Sequence, residues 1–173
     1  MAATTTLSEP FSSSSSSSSY RAPDDYKYDV FLSFSAEDTR INFTDHLYRA
    51  LKRAGFRTFL GDGVIRVVDI LQAIQRSRIF LIVLSKNYAS SMWCLEELVQ
   101  ILQHCRSSNQ MVVPIFYDVS PFDVRNQSGN FEQALLEHEK HYCLNGDKVS
   151  IWRGALTEIA SIYGWNLEST ADG

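Results

Sequence analysis

The residues best suited to chemistry lie within residues 85–98, a segment that holds a lysine, a tryptophan and two glutamates. Trp93 and Glu97 are four residues apart at the start of a predicted helix, so an aromatic ring and a carboxylate share one side, one turn apart. Each residue also has an ordinary structural explanation: Lys86 as a surface lysine, Trp93 as core packing, and Glu96 with Glu97 as acids that the helix macrodipole favours. The segment follows the most hydrophobic run of the chain, and that position favours a functional site.

That position depends on an alternation of strands and helices. Short apolar runs predict four strands, at residues 28–34, 56–60, 78–84 and 111–117. Apolar residues at helical spacing predict helices at residues 43–54, 69–75, 131–138 and 152–162. A further helix is predicted to begin after a cap at Ser90 or Ser91. Alternating strands and helices form right-handed βαβ units. We therefore predict an α/β fold, a flavodoxin-like doubly wound parallel sheet of about five strands with helices on both faces, and the fifth strand is not located.

The loops at the carboxyl ends of these strands lack the motifs of several common activities. They are residues 35–39, 61–68, 85–93 and 118–125, the last read as a turn-rich loop that extends to residue 129. No phosphate-binding GxxxxGK[ST], dinucleotide-binding GxGxxG, GxSxG or HExxH is present. A response-regulator receiver needs an aspartate where the third strand ends, and this chain has leucine, serine and lysine there.

Composition excludes further classes. The net charge is −4, with 16 basic and 20 acidic residues, so we expect no nucleic-acid partner. No apolar stretch approaches the roughly 20 residues that span a bilayer, so we expect no membrane partner either. Three cysteines without CxxC spacing argue against a zinc site or a disulfide scaffold. His138 and His141 are three residues apart on an acidic helix, which predicts a solvated face rather than a metal pair.

The N-terminal segment differs from the rest. Residues 1–27 contain an unbroken serine run at 12–19 and have almost nothing apolar to bury, which predicts a disordered leader. It lacks the apolar core of a secretory signal, and its few basic residues leave a plastid transit peptide as the minor alternative. We expect a cytoplasmic or nucleo-cytoplasmic protein, with one domain at residues 28–167 and a short tail at 168–173.

A series of ordered motifs resembles a plant Toll/interleukin-1 receptor (TIR) domain. They are YDVFLSF at 28–34, EDTR at 37–40, SKNYASS at 85–91, WCLEEL at 93–98, PIFY at 114–117, VSP at 119–121 and GW at 164–165. The resemblance runs from Tyr28 to Leu167. The serine-rich leader also resembles those that precede TIR domains in nucleotide-binding, leucine-rich-repeat immune receptors.

The resemblance implies a self-associating defence-signalling domain that cleaves NAD⁺, releasing nicotinamide and ADP-ribose or cyclic ADP-ribose. NAD⁺ is then a substrate, and no cofactor or metal is expected. The family's catalytic glutamate maps to Glu97, with Glu96 in a variable position. The resemblance implies that the substrate-binding residues are Trp93, Lys86, Ser85, Phe34 and Ser35. It implies that His46 and Gly164 lie near self-association surfaces with other TIR domains.

Two segments depart from the family pattern. Ser35 stands where the family usually has an arginine facing the nucleotide pocket, and residues 61–71 are about five residues shorter than is usual. These departures predict weak catalysis and leave a second class of function open. In that alternative, the chain is a catalytically weak or inactive TIR–TIR interaction module, a scaffold or decoy in defence signalling. The sequence also leaves open whether the chain is a TIR-only protein or a fragment of a larger receptor.

Overall fold

A computed structural model describes residues 26–39, 43–61, 67–108, 110–141 and 146–167. The strands are β1 (Tyr28–Phe34), β2 (Thr58–Gly61), β3 (Ser77–Leu84), β4 (Met111–Tyr117) and β5 (Trp165–Leu167). The helices are α1 (Ala36–Thr39), α2 (Phe43–Arg53), α3 (Val67–Gln75), α4 (Met92–Ser107), α5 (Pro121–Asn126), α6 (Asn130–His141) and α7 (Gly146–Ile159), with a 3₁₀ turn at Tyr88–Ser90 before α4. The predictions for most of the leader (residues 1–25), for the tail (168–173) and for the middle of the shortened segment (62–66) lie outside the described residues.

The strands form one parallel sheet in the order β2-β1-β3-β4-β5. This confirms the predicted flavodoxin-like fold. β1 lies beside both β2 and β3, and Ser33 near its end pairs with Gly61 on one side and Ile82 on the other. The carboxyl ends of these three strands therefore meet at one edge, where the loops converge.

Side chains alternate across the sheet and build two cores. In β3, Phe80 and Ile82 face the core under α3, α4, α6 and α7, whereas Leu81 and Val83 face the core under α2. This is the two-residue periodicity of a strand buried on both faces. Most of the helical cover lies on one side, and α4 belongs to that side.

The fifth strand, which the sequence did not locate, is a short exposed edge after α7. Its three residues are all exposed and pair with β4 through residues 115–117. Trp165, Asn166 and Leu167 alternate between apolar and polar, but three residues are fewer than the roughly four to eight over which such a pattern predicts a strand. Among the described residues, none of the helices has the length and apolar character needed to cross a membrane.

The segment predicted as a turn-rich loop contains a helix, α5. Ser120 caps it by accepting a hydrogen bond from the Phe122 N–H (3.1 Å), and Pro121 occupies its first turn. A serine followed by proline is a helix-start signal, so this prediction was wrong in a place where the sequence held the cue. The four-residue α1 likewise lies where a polar loop was predicted.

Candidate active site

Glu97 lies in the second turn of α4 and is buried, with 5% of its surface exposed. α4 begins after Ser91, whose hydroxyl accepts a hydrogen bond from the Cys94 N–H at 3.3 Å. The Glu97 carboxylate rests against the backbone of Gly61 at the end of β2, because a Cβ placed on Gly61 would lie 2.5 and 2.7 Å from its two oxygens. A residue without a side chain is what lets the carboxylate reach this strand end.

Glu96, the neighbouring acid, points toward α7. Its Oε1 atom accepts a hydrogen bond from the indole N–H of Trp152 at 3.1 Å and lies 2.8 Å from the ammonium nitrogen of Lys148. Successive helical residues differ in direction by about 100°, so two adjacent glutamates serve different neighbours. Glu97 therefore lies at the strand end of β2, whereas Glu96 faces α7.

A cavity of about 310 Å³ opens beside Glu97. Its lining combines apolar side chains of α3 with both glutamates and further residues of α4 and α7: Ile70, Leu71, Met92, Trp93, Glu96, Glu97, Gln100 and Lys148. We call it the Glu97 cavity. The structure thus brings Trp93 and Glu97 together, as their spacing predicts. The Trp93 side chain is 47% exposed, so its ring is open to stacking by a ligand.

Two neutral groups lie close to Glu97. Tyr88 is fully buried, and its hydroxyl is 3.0 Å from the Ser33 hydroxyl and donates to the Cys94 carbonyl at 3.2 Å. Burial raises the pKa of Tyr88 well above its usual value, and burial likewise raises the pKa of Cys94 to about 12, with the charge of Glu97 adding to both. Cys94 is therefore a thiol and not a thiolate nucleophile at neutral pH.

Ser85 and Lys86 lie in a different cavity, of about 330 Å³, at the ends of β3 and β4. Its lining is mostly polar: Glu37, Asp38, Ser85, Lys86, Asn87, Tyr117 and Asp118. Lys86 forms an ion pair with Asp118 (Nζ–Oδ2 2.9 Å), and that hydrogen bond raises the pKa of Lys86. The Asp38 carboxylate accepts hydrogen bonds from the backbone N–H (2.6 Å) and the side-chain amide of Asn87. Of the predicted binding residues, Trp93 thus lines one cavity, whereas Ser85 and Lys86 line another.

Phe34 and Ser35 do not line the Glu97 cavity. The Phe34 side chain is buried in the core under α2, on the opposite face of the sheet from α4. Ser35 is 2% exposed, and its carbonyl accepts hydrogen bonds from the N–H (3.3 Å) and hydroxyl (3.1 Å) of Thr39. Ser35 therefore occupies the cap position directly before α1. The alternation of strand side chains sends Phe34 away from the face that Glu97 occupies.

Comparison with known proteins identifies the family. The TIR domain family matches the chain over residues 27–172, the greater part of its length. This chain belongs to the TIR domain family. The match covers the whole sheet and the helices that carry both cavities.

Several relatives of this TIR domain are plant resistance proteins. It is 49% identical to the disease resistance protein RPV1 of Vitis rotundifolia over 161 residues, which are 91% of this chain and 11% of RPV1. It is 45% identical to the TMV resistance protein N of Nicotiana glutinosa over 155 residues, which are 87% of this chain and 13% of that protein. The chain therefore spans about a tenth of the length of these curated relatives.

A solved structure shares the fold of this TIR domain closely. The TIR domains in a structure of the activated Roq1 resistosome, described as directly recognising the pathogen effector XopQ, match with a TM-score of 0.77. The match covers 84% of this chain and 91% of the Roq1 chain at 46% identity.

The two residues predicted to lie at self-association surfaces of the TIR domain have different surroundings. His46 is exposed on α2, open to contact. Gly164 precedes β5, and a Cβ there would collide with the Pro114 carbonyl oxygen of β4. Gly164 thus has a packing role within the domain, whatever contacts it makes outside.

The structure adds two residues to the site, Gly61 and Lys148, and corrects the placement of a third residue, His138. Gly61 seats Glu97, Lys148 enters the Glu97 cavity from α7, and His138 is half-buried against α7. His138 Nε2 lies 2.9 Å from the Ala89 carbonyl oxygen, and its ring meets the Trp152 ring edge-on at 5.2 Å. The prediction of a solvated histidine pair is therefore wrong for His138, and of these two residues only His141 is exposed. The described residues contain no cluster of three or more acids, histidines or cysteines able to hold a metal ion.

Proposed function

We propose that this TIR domain acts in plant immune signalling as an NAD⁺ hydrolase or ADP-ribosyl cyclase in which Glu97 is the catalytic residue. The single observation that carries the proposal is a buried carboxylate, seated on a glycine at a strand end, that shares a cavity with an exposed tryptophan ring. The resistance-protein names of its relatives support the signalling role.

One carboxylate suffices for this reaction. The bond that breaks joins the anomeric carbon of ribose to the pyridinium nitrogen of nicotinamide, and its electron pair neutralises the leaving group. Nicotinamide therefore departs without protonation, and no second carboxylic acid is needed, unlike in O-glycoside hydrolysis. Glu97 stabilises the oxocarbenium-like ribose. Attack by water, with release of one proton, gives ADP-ribose, whereas attack by an adenine nitrogen of the same molecule gives a cyclic product.

The surroundings of Glu97 suit this role. Trp93 offers a ring face to nicotinamide or adenine at the mouth of the cavity. Its volume of about 310 Å³ lies at the low end for a small-molecule pocket, for which about 300–1,000 Å³ is typical. One end of the dinucleotide fits inside, and the remainder extends beyond it. A second TIR domain, associated through surfaces near His46 and Gly164, would cover that remainder and make activity dependent on assembly. NAD⁺ here is a substrate, and a cytoplasmic setting would supply it.

The test is nicotinamide release from NAD⁺ by the purified chain under crowding conditions. Glu97→Gln keeps the shape and removes the charge, so kcat should fall by a factor of about 100 or more while the melting temperature stays close to that of wild type. Glu137→Gln is the matched control, because Glu137 is exposed on α6 and pairs with Lys140 (2.7 Å), and its activity should equal wild type. Full activity in Glu97→Gln, with loss in Glu96→Gln, would refute the assignment.

A second candidate function is a TIR–TIR interaction module that does not turn over NAD⁺. The observation that favours it is the separation of Lys86 and Ser35 from the Glu97 cavity. Nicotinamide release separates the two candidates, and light scattering on the same samples reports self-association. An interaction module would self-associate, lose association in His46→Ala, and release no nicotinamide at any protein concentration.

A further inference from the structure

α7 contributes a cation to the Glu97 cavity. Lys148 lines the cavity on the side of Glu96, and its ammonium nitrogen lies 2.8 Å from Glu96 Oε1. The same nitrogen lies over the Trp152 ring, 5.4 Å from its centroid. Among the described residues that line this cavity, Lys148 is the only cation.

The partners of Lys148 hold it in place without enclosing it. Trp152 is almost fully buried and donates its indole N–H to the same glutamate oxygen at 3.1 Å, so Glu96 and Trp152 form a fixed seat on two helices. The Lys148 side chain remains 40% exposed. An ammonium group has three donors, and Glu96 Oε1 accepts at most one of them in a simple hydrogen bond. The others are available to a ligand in the cavity.

We propose that Lys148 binds the diphosphate of the dinucleotide substrate and thereby determines specificity for phosphate-bearing substrates, an inference that rests on the proposed function. NAD⁺ carries a cationic pyridinium at one end and an anionic diphosphate next to its ribose. Glu97 and Trp93 suit the cationic end, and Lys148 supplies the opposite charge from α7, beside Glu96. A charged donor forms the stronger kind of hydrogen bond to phosphate.

This role also accounts for two features of the chain. Ser35 is buried at the start of α1 and brings no charge to the cavity, so the nucleotide contact expected of an arginine there needs another source. Lys86, the other predicted cation, pairs with Asp118 in a separate cavity. Glu96 is then a positioning residue, which orients Lys148 and competes with phosphate for its charge.

The decisive experiment compares NAD⁺ with nicotinamide riboside, which has the same scissile bond and no phosphate. Lys148→Gln should raise KM for NAD⁺ about tenfold, equivalent to about 1.4 kcal/mol, with kcat and the KM for the riboside unchanged. Lys148→Arg should restore the KM for NAD⁺. Arg153→Gln is the matched control, because Arg153 lies on the same helix but pairs with Glu139 (3.0 Å) outside the cavity. Equal changes for both substrates, or a change in kcat alone, would overturn the proposal in favour of a structural role.

Glu96→Gln provides a second discriminator. If Lys148 serves only to pair with Glu96, both variants should impair activity in the same way. If Lys148 binds phosphate, removing the competing charge should leave the KM for NAD⁺ equal to wild type or lower it, opposite to Lys148→Gln.

Calorimetric titration with ADP-ribose tests Lys148 independently of turnover. Wild type should bind ADP-ribose about tenfold more tightly than Lys148→Gln does. We expect the same difference in affinity even if the chain releases no nicotinamide. That result would refute the proposed function and still support the contact between Lys148 and phosphate. Equal affinities, or no binding by wild type, would overturn the phosphate contact.

Discussion

The contact between Gly61 and Glu97 makes Gly61→Ala a direct test of how the carboxylate is positioned. Gly61 does not need glycine for its backbone conformation, since it is not among the described residues with positive φ. The substitution therefore acts only through the steric overlap of the added methyl group with its neighbours. The added Cβ would lie 2.5 Å from Glu97 Oε2 and 2.8 Å from its Cδ atom.

The size of the effect follows from these distances. The carboxylate must retreat by about 0.5–0.9 Å to restore a separation of 3.0–3.4 Å from the new methyl group. Because a misplacement of about 1 Å can cost on the order of 100-fold in rate, we expect kcat to fall by about 10- to 100-fold. Overpacking costs about 1–3 kcal/mol, and the lower entropy of the unfolded chain offsets about 0.4–1 kcal/mol of that.

The assay measures nicotinamide release and urea unfolding for the same preparations. Gly154→Ala on α7 is the matched control, because a Cβ there meets nothing within 4 Å. It should leave kcat unchanged and stabilise the helix by about 1 kcal/mol. In a Glu97→Ala background the colliding atoms are gone, so Gly61→Ala should no longer destabilise, and the double-mutant cycle should give a coupling of about 1–3 kcal/mol.

Two results would refute this reasoning. Unchanged kcat in Gly61→Ala would mean that the carboxylate tolerates displacement, or that it is not the catalytic group. A stability loss of equal size with and without the Glu97 side chain would mean that the new methyl group collides with something other than this carboxylate.

Two further predictions concern the frame of the domain. Gly164→Ala should destabilise the domain by about 1–3 kcal/mol in urea unfolding, because its Cβ would meet the backbone and ring of Pro114. His46→Ala, on the exposed face of α2, should change stability by less than about 0.5 kcal/mol. Equal losses of stability in the two variants would contradict the packing role of Gly164. The Arg57 side chain lowers the pKa of Asp29 to about 2 by hydrogen bonding. A free aspartate has a pKa of about 4, so this pair stabilises the fold fully above that pH. The stabilisation is lost as the pH falls toward 2. Urea midpoints of Asp29→Asn and wild type should differ at pH 7 and converge near pH 2, and a constant difference would exclude this linkage.

The sequence alone determined the frame of the domain and much of its local detail. Four strands, most of the helices between them and a cap at Ser90 or Ser91 follow from apolar periodicity and from hydrogen-bonding side chains, which act over a few residues. The structure places that cap at Ser91. The right-handed βαβ rule then converts that alternation into a parallel sheet whose carboxyl edge collects the loops. The pairing of Trp93 with Glu97 was predictable for the same reason, since four residues make one helical turn. The serine–proline start of α5 was an equally local signal, although the segment was predicted as a loop.

Only the tertiary structure decided which of these residues meet. Glu96 and Glu97 are alike in sequence, and their division between Lys148 and Gly61 depends on α7 and β2, which are distant along the chain. Strand alternation determines that Phe34 and its neighbours in β1 point to opposite faces of the sheet. Which of the two faces packs against α4 depends on contacts between distant segments. The fifth strand forms because β4 offers an open edge, and its own three exposed residues carry no such signal. Contacts between distant segments depend on how the whole sheet packs, and no local pattern records them.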